Sequence, residues 1–167
     1  MIPVDITAIA KDSAGIDVVA DIPKEDGFNE YYFDAATRTI HIRPNQVEGH
    51  SRFLIAKSLG EILMGLPVQT SREYVSVLVR IKSREDFLKA DLCKRMKNAF
   101  ASELLMPNAI FLDIVAQNPN ITAKDLQEFF LMSETAVKLR LKKNGIELKR
   151  RKPRKKKPLP VAAEGHA

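Results

Sequence analysis

A chain of 167 residues with 45% hydrophobic and 29% charged content can bury one real core and is too short for two full-sized enzymatic domains. A single cysteine, Cys93, excludes an internal disulfide, the first residues lack a secretion pattern, and apolar runs such as Phe53–Leu66 are broken by Lys57 and Glu61, so a soluble cytoplasmic protein with no membrane partner is expected. The net charge of +6 is local: 8 of the 27 basic residues lie in Lys149–Lys157, which leaves 19 against 20 acidic residues in Met1–Leu148 and a body close to neutral.

Along the body, Val4, Ile6, Ile9 and Ala10 give a short amphipathic helix within Pro3–Gly15, stopped at Ala14-Gly15, and a strand begins in Ile16–Ile22. Asn29–Arg43 alternates on both sides of the turn-like Asp34-Ala35-Ala36-Thr37, which is a hairpin pattern. Glu48–Leu66 reads as a helix with Phe53, Ile55, Ala56, Leu59, Ile62, Leu63 and Leu66 apolar, closed by Gly65 and Pro67. Valine-rich Tyr74–Ile81 suits a strand or a lid-like segment. A second long helix spans about Glu85–Leu105, with Leu88, Leu92, Met96, Ala99, Phe100 and Leu104 on one face, and stops at Met106-Pro107. Thr122 and Asp125 form a capping-box-like start for Ala123–Phe130, and a turn at Leu131-Met132-Ser133 leads into Glu134–Lys143.

Three strings carry a resemblance. The opening P-V-D-I-T-A-I-A-K-D-S-A-G-I-D-V-V (Pro3–Val19), R-F-L-I-A-K-S-L-G-E-I-L-M-G (Arg52–Gly65) and N-A-F-A-S-E-L-L-M-P (Asn98–Pro107) resemble, in order and spacing, the ImmA/IrrE-type metallopeptidase family. That family has a zincin-like fold with an R-F-T-x-A-H-E-L-G-H helix and a later E-x-x-A-N-x-F-A-x-x-L-L-M-P helix. The resemblance spans about Pro3–Glu147 and implies an α+β fold: a small sheet with two long helices, then a C-terminal helix-turn-helix-like hairpin and a basic tail. The expected units are 1–115 as the pseudo-metallopeptidase domain, 116–148 as the hairpin and 149–167 as a disordered tail, because a like-charge block with three prolines cannot bury enough surface to offset its ordering entropy.

The chemistry departs from that family at its essential positions. In an H-E-x-x-H helix two histidines one turn apart meet one zinc ion, and the glutamate between them takes a proton from the bound water. Here Lys57 stands at the first histidine position, Ser58 at the general base, Glu61 at the second histidine, and Lys94, four residues before Asn98, at the third ligand. Holding one lysine neutral at pH 7, from an ordinary pKa of about 10.4, costs roughly 4.6 kcal/mol, and two ammonium groups repel a dication. No metal and no cofactor is expected, so the catalytic and metal sets are empty and Lys57, Ser58, Glu61, Lys94 and Asn98 form a degenerate former active site. Ser58 and Lys57, about 100° apart on one helix, do not easily share a proton, so a Ser–Lys nucleophile would need Lys94 as base. Lys57, Glu61 and Lys94 either form a charge cluster in the metal's place or point into a wet groove. His41 and His50 lie outside the ligand positions.

Lys138, Arg140, Lys142 and Lys143 either meet phosphates from the second hairpin helix or form a solvated face on helices that pack against the body. In the tail, Lys149, Arg150, Arg151, Lys152, Arg154, Lys155, Lys156 and Lys157 are the candidate nucleic-acid contacts, with a mere solubility tail as the alternative. Active members of the family are implied to relieve repression by cleaving helix-turn-helix repressors in mobile elements and stress responses. A member without metal would keep the groove without the water. Three readings therefore stand: a non-catalytic module that binds a repressor or similar partner through the former substrate groove, a DNA-associated regulator acting through hairpin and tail, and a divergent metallopeptidase with an altered site.

Overall fold

The structure, a computed structural model, describes residues 3–23, 30–44, 46–68 and 83–148. Tyr74–Ile81 and the tail Lys149–Ala167 lie outside the described residues. The first helix, α1 (Ile6–Ala14), is capped by Asp5, whose Oδ1 accepts from the amides of Thr7 at 3.1 Å and Ala8 at 3.0 Å. It stops where Gly15 turns left-handed at φ 62°, a conformation a residue without Cβ adopts freely.

Three strands follow: β1 (Asp17–Ala20), β2 (Tyr31–Asp34) and β3 (Thr39–Ile42), in the order β1-β3-β2. The β2–β3 pair is the expected antiparallel hairpin, with Tyr31 opposite Ile42, and Asp34 Oδ1 accepts the Ala36 amide at 2.9 Å in its turn. Strand β1 lies parallel to β3, Asp17 opposite Thr39. Both faces of the hairpin are covered, since Tyr31, Tyr32 and Phe33 are all buried. On one of them Tyr32 stacks on His41 at 4.5 Å between centroids, and the His41 Nδ1 lies 2.8 Å from Asp21.

Helix α2 (Glu48–Leu63) packs against the sheet, α1 and the long helix α3 (Arg84–Leu105). The close approach of α2 and α3 depends on Gly60: a Cβ there would sit 2.7 Å from Cδ1 of Phe100. Ser83 caps α3 by accepting the Asp86 amide at 3.1 Å. A further helix, α4 (Asn108–Gln117), follows Pro107 directly and is absent from the sequence-based expectation; it buries Phe111. The last two, α5 (Ala123–Phe130) and α6 (Glu134–Lys143), have the expected bounds, with a complete Thr122–Asp125 capping box.

The pair α5–α6 docks on the body. Leu126, Phe130, Met132, Val137 and Leu141 join one buried cluster with Leu54, Leu59, Leu105 and Phe111. At Gly49 the turn after α5 comes so near α2 that a Cβ would stand 2.9 Å from the Leu131 carbonyl oxygen. Arg140, 4% exposed, reaches from α6 to α3: its guanidinium donates to Glu103 Oε2 at 2.8 Å, to the Ser102 carbonyl at 2.8 Å and to Ser102 Oγ at 3.0 Å. A guanidinium engaged in that link does not face phosphate, so Arg140 leaves the set of helix cations that could meet a nucleic acid.

One helix face differs from expectation. Leu88, Leu92 and Met96 on α3 are 55%, 54% and 38% exposed, and Ala99 is exposed as well. Only Ala101 and Leu105 of α3 are buried. The core side is turned away from the Leu88–Ala99 stripe, which leaves α3 apolar on two faces.

Candidate functional site: a charge cluster between α2, α3 and β2

The α2 periodicity that buries Leu54, Ile55 and Leu59 also carries Ser58 and Glu61 inward, to 0% and 2% exposure. A buried carboxylate must be paired, and Glu61 is: its Oε1 accepts from the Tyr31 hydroxyl on β2 at 2.9 Å and pairs with the Lys97 ammonium on α3. The Lys97 amine also lies 3.1 Å from the Tyr31 hydroxyl, which closes a triangle of three elements. Burial, then the Glu61 charge, pushes the Tyr31 phenol far above its ordinary range, so it stays a neutral donor.

Lys57 does not make the i,i+4 pair with Glu61 that its spacing permits. Its amine sits 5.2 Å from the ring centroid of Tyr31 and 5.8 Å from that of Phe53, a cation held by two aromatic faces. Burial, and next the Lys97 charge, lower its pKa.

Of the two arrangements left open for Lys94, the structure has the solvent-facing one. That residue is exposed on α3, and Lys97, three positions on, meets Glu61 instead. Lys97 stands immediately before Asn98, where the string E-x-x-A-N has alanine, so a long amine fills space that a methyl group leaves open. Motif matching looks only at ligand positions and passes over it; the exchange of a small residue for a charged one beside Asn98 was the available signal. Ser58 is fully buried and its hydroxyl has no hydrogen-bond partner among the described residues, so it offers a substrate nothing to reach.

The donor set does not fit zinc. Among the described residues it holds the Glu61 carboxylate, bound through Oε1 with Oε2 unpartnered, the Glu30 carboxylate within electrostatic reach, and the amines of Lys57 and Lys97, with Lys94 nearby. Among the described residues no three His, Cys, Asp or Glu side chains converge as a metal would need. His41 and His50 are engaged elsewhere, with Asp21 at 2.8 Å and Glu30 at 3.1 Å.

Beside the cluster runs a groove of about 500 Å³ between α2, α3 and α6, lined in part by Phe53, Asn98, Ala99, Glu103, Leu139 and Lys143. Asn98 thus faces the groove, not the Glu61 pair.

Comparison against known proteins gives the family and the fold. A family profile described as the IrrE N-terminal-like domain of peptidase M78 matches residues 11–142. The chain belongs to this family. The IrrE-like fold also recurs in a solved structure of a Mycobacterium tuberculosis transcriptional regulator, at TM-score 0.61 and 20% identity over 81% of this chain. This chain spans 39% of that protein. No curated protein matches. Among the described residues no single helix is long and apolar enough to cross a membrane.

Lys97→Met should cost about 3–5 kcal/mol in denaturant unfolding, because it leaves the Glu61 charge buried without its partner. Lys94→Met should stay within about 0.5 kcal/mol of wild type. Equal losses from the two variants would contradict the assignment of Lys97.

Proposed function

We propose that this IrrE-like chain is a non-catalytic regulatory module that binds a helix-turn-helix repressor, or a protein of similar build, through the groove beside the former metal position. The observation that carries this reading is the Glu61–Tyr31–Lys97 triangle. It engages Oε1 of the carboxylate that a metal would need, leaving Oε2 without a hydrogen-bond partner, and it links α2, α3 and β2 through protein groups alone. A groove retained beside a filled catalytic centre suits recognition without hydrolysis. The M. tuberculosis protein that shares the fold is a transcriptional regulator, which supports a regulatory setting.

A helix-turn-helix repressor, should one be encoded beside this gene, is the partner to test. It should co-elute with the full chain and remain intact for hours with added zinc or manganese. Repressor fragments whose formation stops on chelation would overturn the non-catalytic reading.

A second reading rests on the tail. Lys138 is paired with Glu134 at 2.8 Å and Arg140 is buried, which leaves Lys142 and Lys143 of the four hairpin candidates, while the densest basic run in the sequence is Lys149–Lys157. We infer that this block holds DNA or RNA electrostatically. With about five to eight phosphate contacts, the log–log salt slope on duplex DNA should be roughly −4 to −7, with little sequence dependence. Deleting 149–167 should remove most of it; an unchanged slope would move the contacts to α6.

A further inference from the structure

We propose that the groove between α2, α3 and α6 seats an amphipathic helical segment of a protein partner, and that an acidic side chain of that segment pairs with Lys57. The inference deepens the proposed function and rests on it. Phe53, Ala99, Met132, Ala136 and Leu139 give the groove an apolar wall, and Leu139 is 63% exposed there without a neighbour to cover it. Ala99 also ends the exposed α3 stripe of Leu88, Leu92 and Met96. Spaced at four, four and three residues, these positions line one side of α3 for about 16 Å, or three turns. A track of that length matches the i, i+3/i+4, i+7 anchors of a helix laid along it.

Charge decides which helix. The carboxylates at this end of the molecule are engaged: Glu61 by Tyr31 and Lys97, Glu103 by Arg140 and by the Asn108 amide at 2.7 Å, and Glu30 by His50. The cations are less so. Lys57 has no carboxylate within ion-pair distance among the described residues, and its amine rests against Phe53, itself part of the groove wall. Lys143 also lines the groove, close enough to Glu103 to act on its charge. An apolar trough bordered by a lysine that has carboxylates near it but none at ion-pair distance favours an occupant with apolar anchors and an acidic flank.

The test uses the full chain and a random 16-residue peptide library displayed on phage, followed by fluorescence anisotropy with the strongest peptide. Selected peptides should carry apolar residues at helical spacing and at least one acid. Lys57→Met should weaken binding tenfold or more, Glu→Gln in the peptide should do the same, and the two losses should not add. The basic tail is identical in wild type and variant, so its attraction for acidic peptides cancels. Leu139→Asp, at an exposed position that leaves the core intact, should also abolish binding. Equal affinity for wild type and Lys57→Met, or selection of basic peptides, overturns the inference while leaving partner binding standing. Selection of no peptide overturns both. A free chain that sediments as a dimer, and that Leu92→Asp returns to monomer, assigns the stripe to a second copy and likewise overturns it.

Discussion

A carboxylate sealed between two helices and a strand cannot remain uncompensated, and Glu61 sets the terms for everything around it. Leaving water costs an ion several kcal/mol, so the elements that enclose Glu61 must each bring it something. Strand β2 brings the Tyr31 hydroxyl and α3 brings the Lys97 ammonium. The geometric consequence is a fixed spacing of α2 and α3, which Gly60 permits by letting Phe100 come close. A divalent metal would impose a similar three-point constraint. Here the constraint comes from protonated groups, and the excess positive charge rests on the faces of Tyr31 and Phe53 through Lys57.

The α5–α6 pair solves a second problem. Helices as short as these are marginal alone, so most of their stability must come from packing an amphipathic face. Leu126, Phe130, Val137 and Leu141 supply that face, and Arg140 adds polar links to Ser102 and Glu103 on α3. Docking the pair beside α2 and α3 creates the groove, whose floor and walls come from parts of the chain far apart in sequence. The function proposed for the chain depends on this packing.

Much of the fold was legible because its signals are local. Asp5, Thr122 with Asp125, Ser133 and Gly15 mark helix ends through hydrogen bonds and left-handed turns that short patterns encode. The hairpin shows in two-residue alternation and the long helices in apolar spacing. Helix α4 escaped because Pro107 reads as a stop, whereas it serves as the N-cap of a new helix. The Leu88–Ala99 stripe was misplaced for a different reason: periodicity tells which residues share a face and not which of two apolar faces meets the core. The site divides the same way. The family resemblance, counted from Asn98, aligns Lys57, Glu61 and Lys94 with ligand positions and Ser58 with the general base. That Lys97 is the residue to reach Glu61 depends on the rotation of α3 against α2, which no local pattern specifies.

The most direct test of a centre held by protons and charge in place of zinc is the melting temperature of the full chain with excess zinc and with a strong chelator. A metal that binds only the folded state raises stability in proportion to the logarithm of its concentration, by about 2.7 kcal/mol at a hundred times Kd. The structure predicts the same melting temperature in both conditions, with no stoichiometric zinc in the purified protein. A chelator-induced drop of several degrees, reversed by one equivalent of zinc, would contradict it.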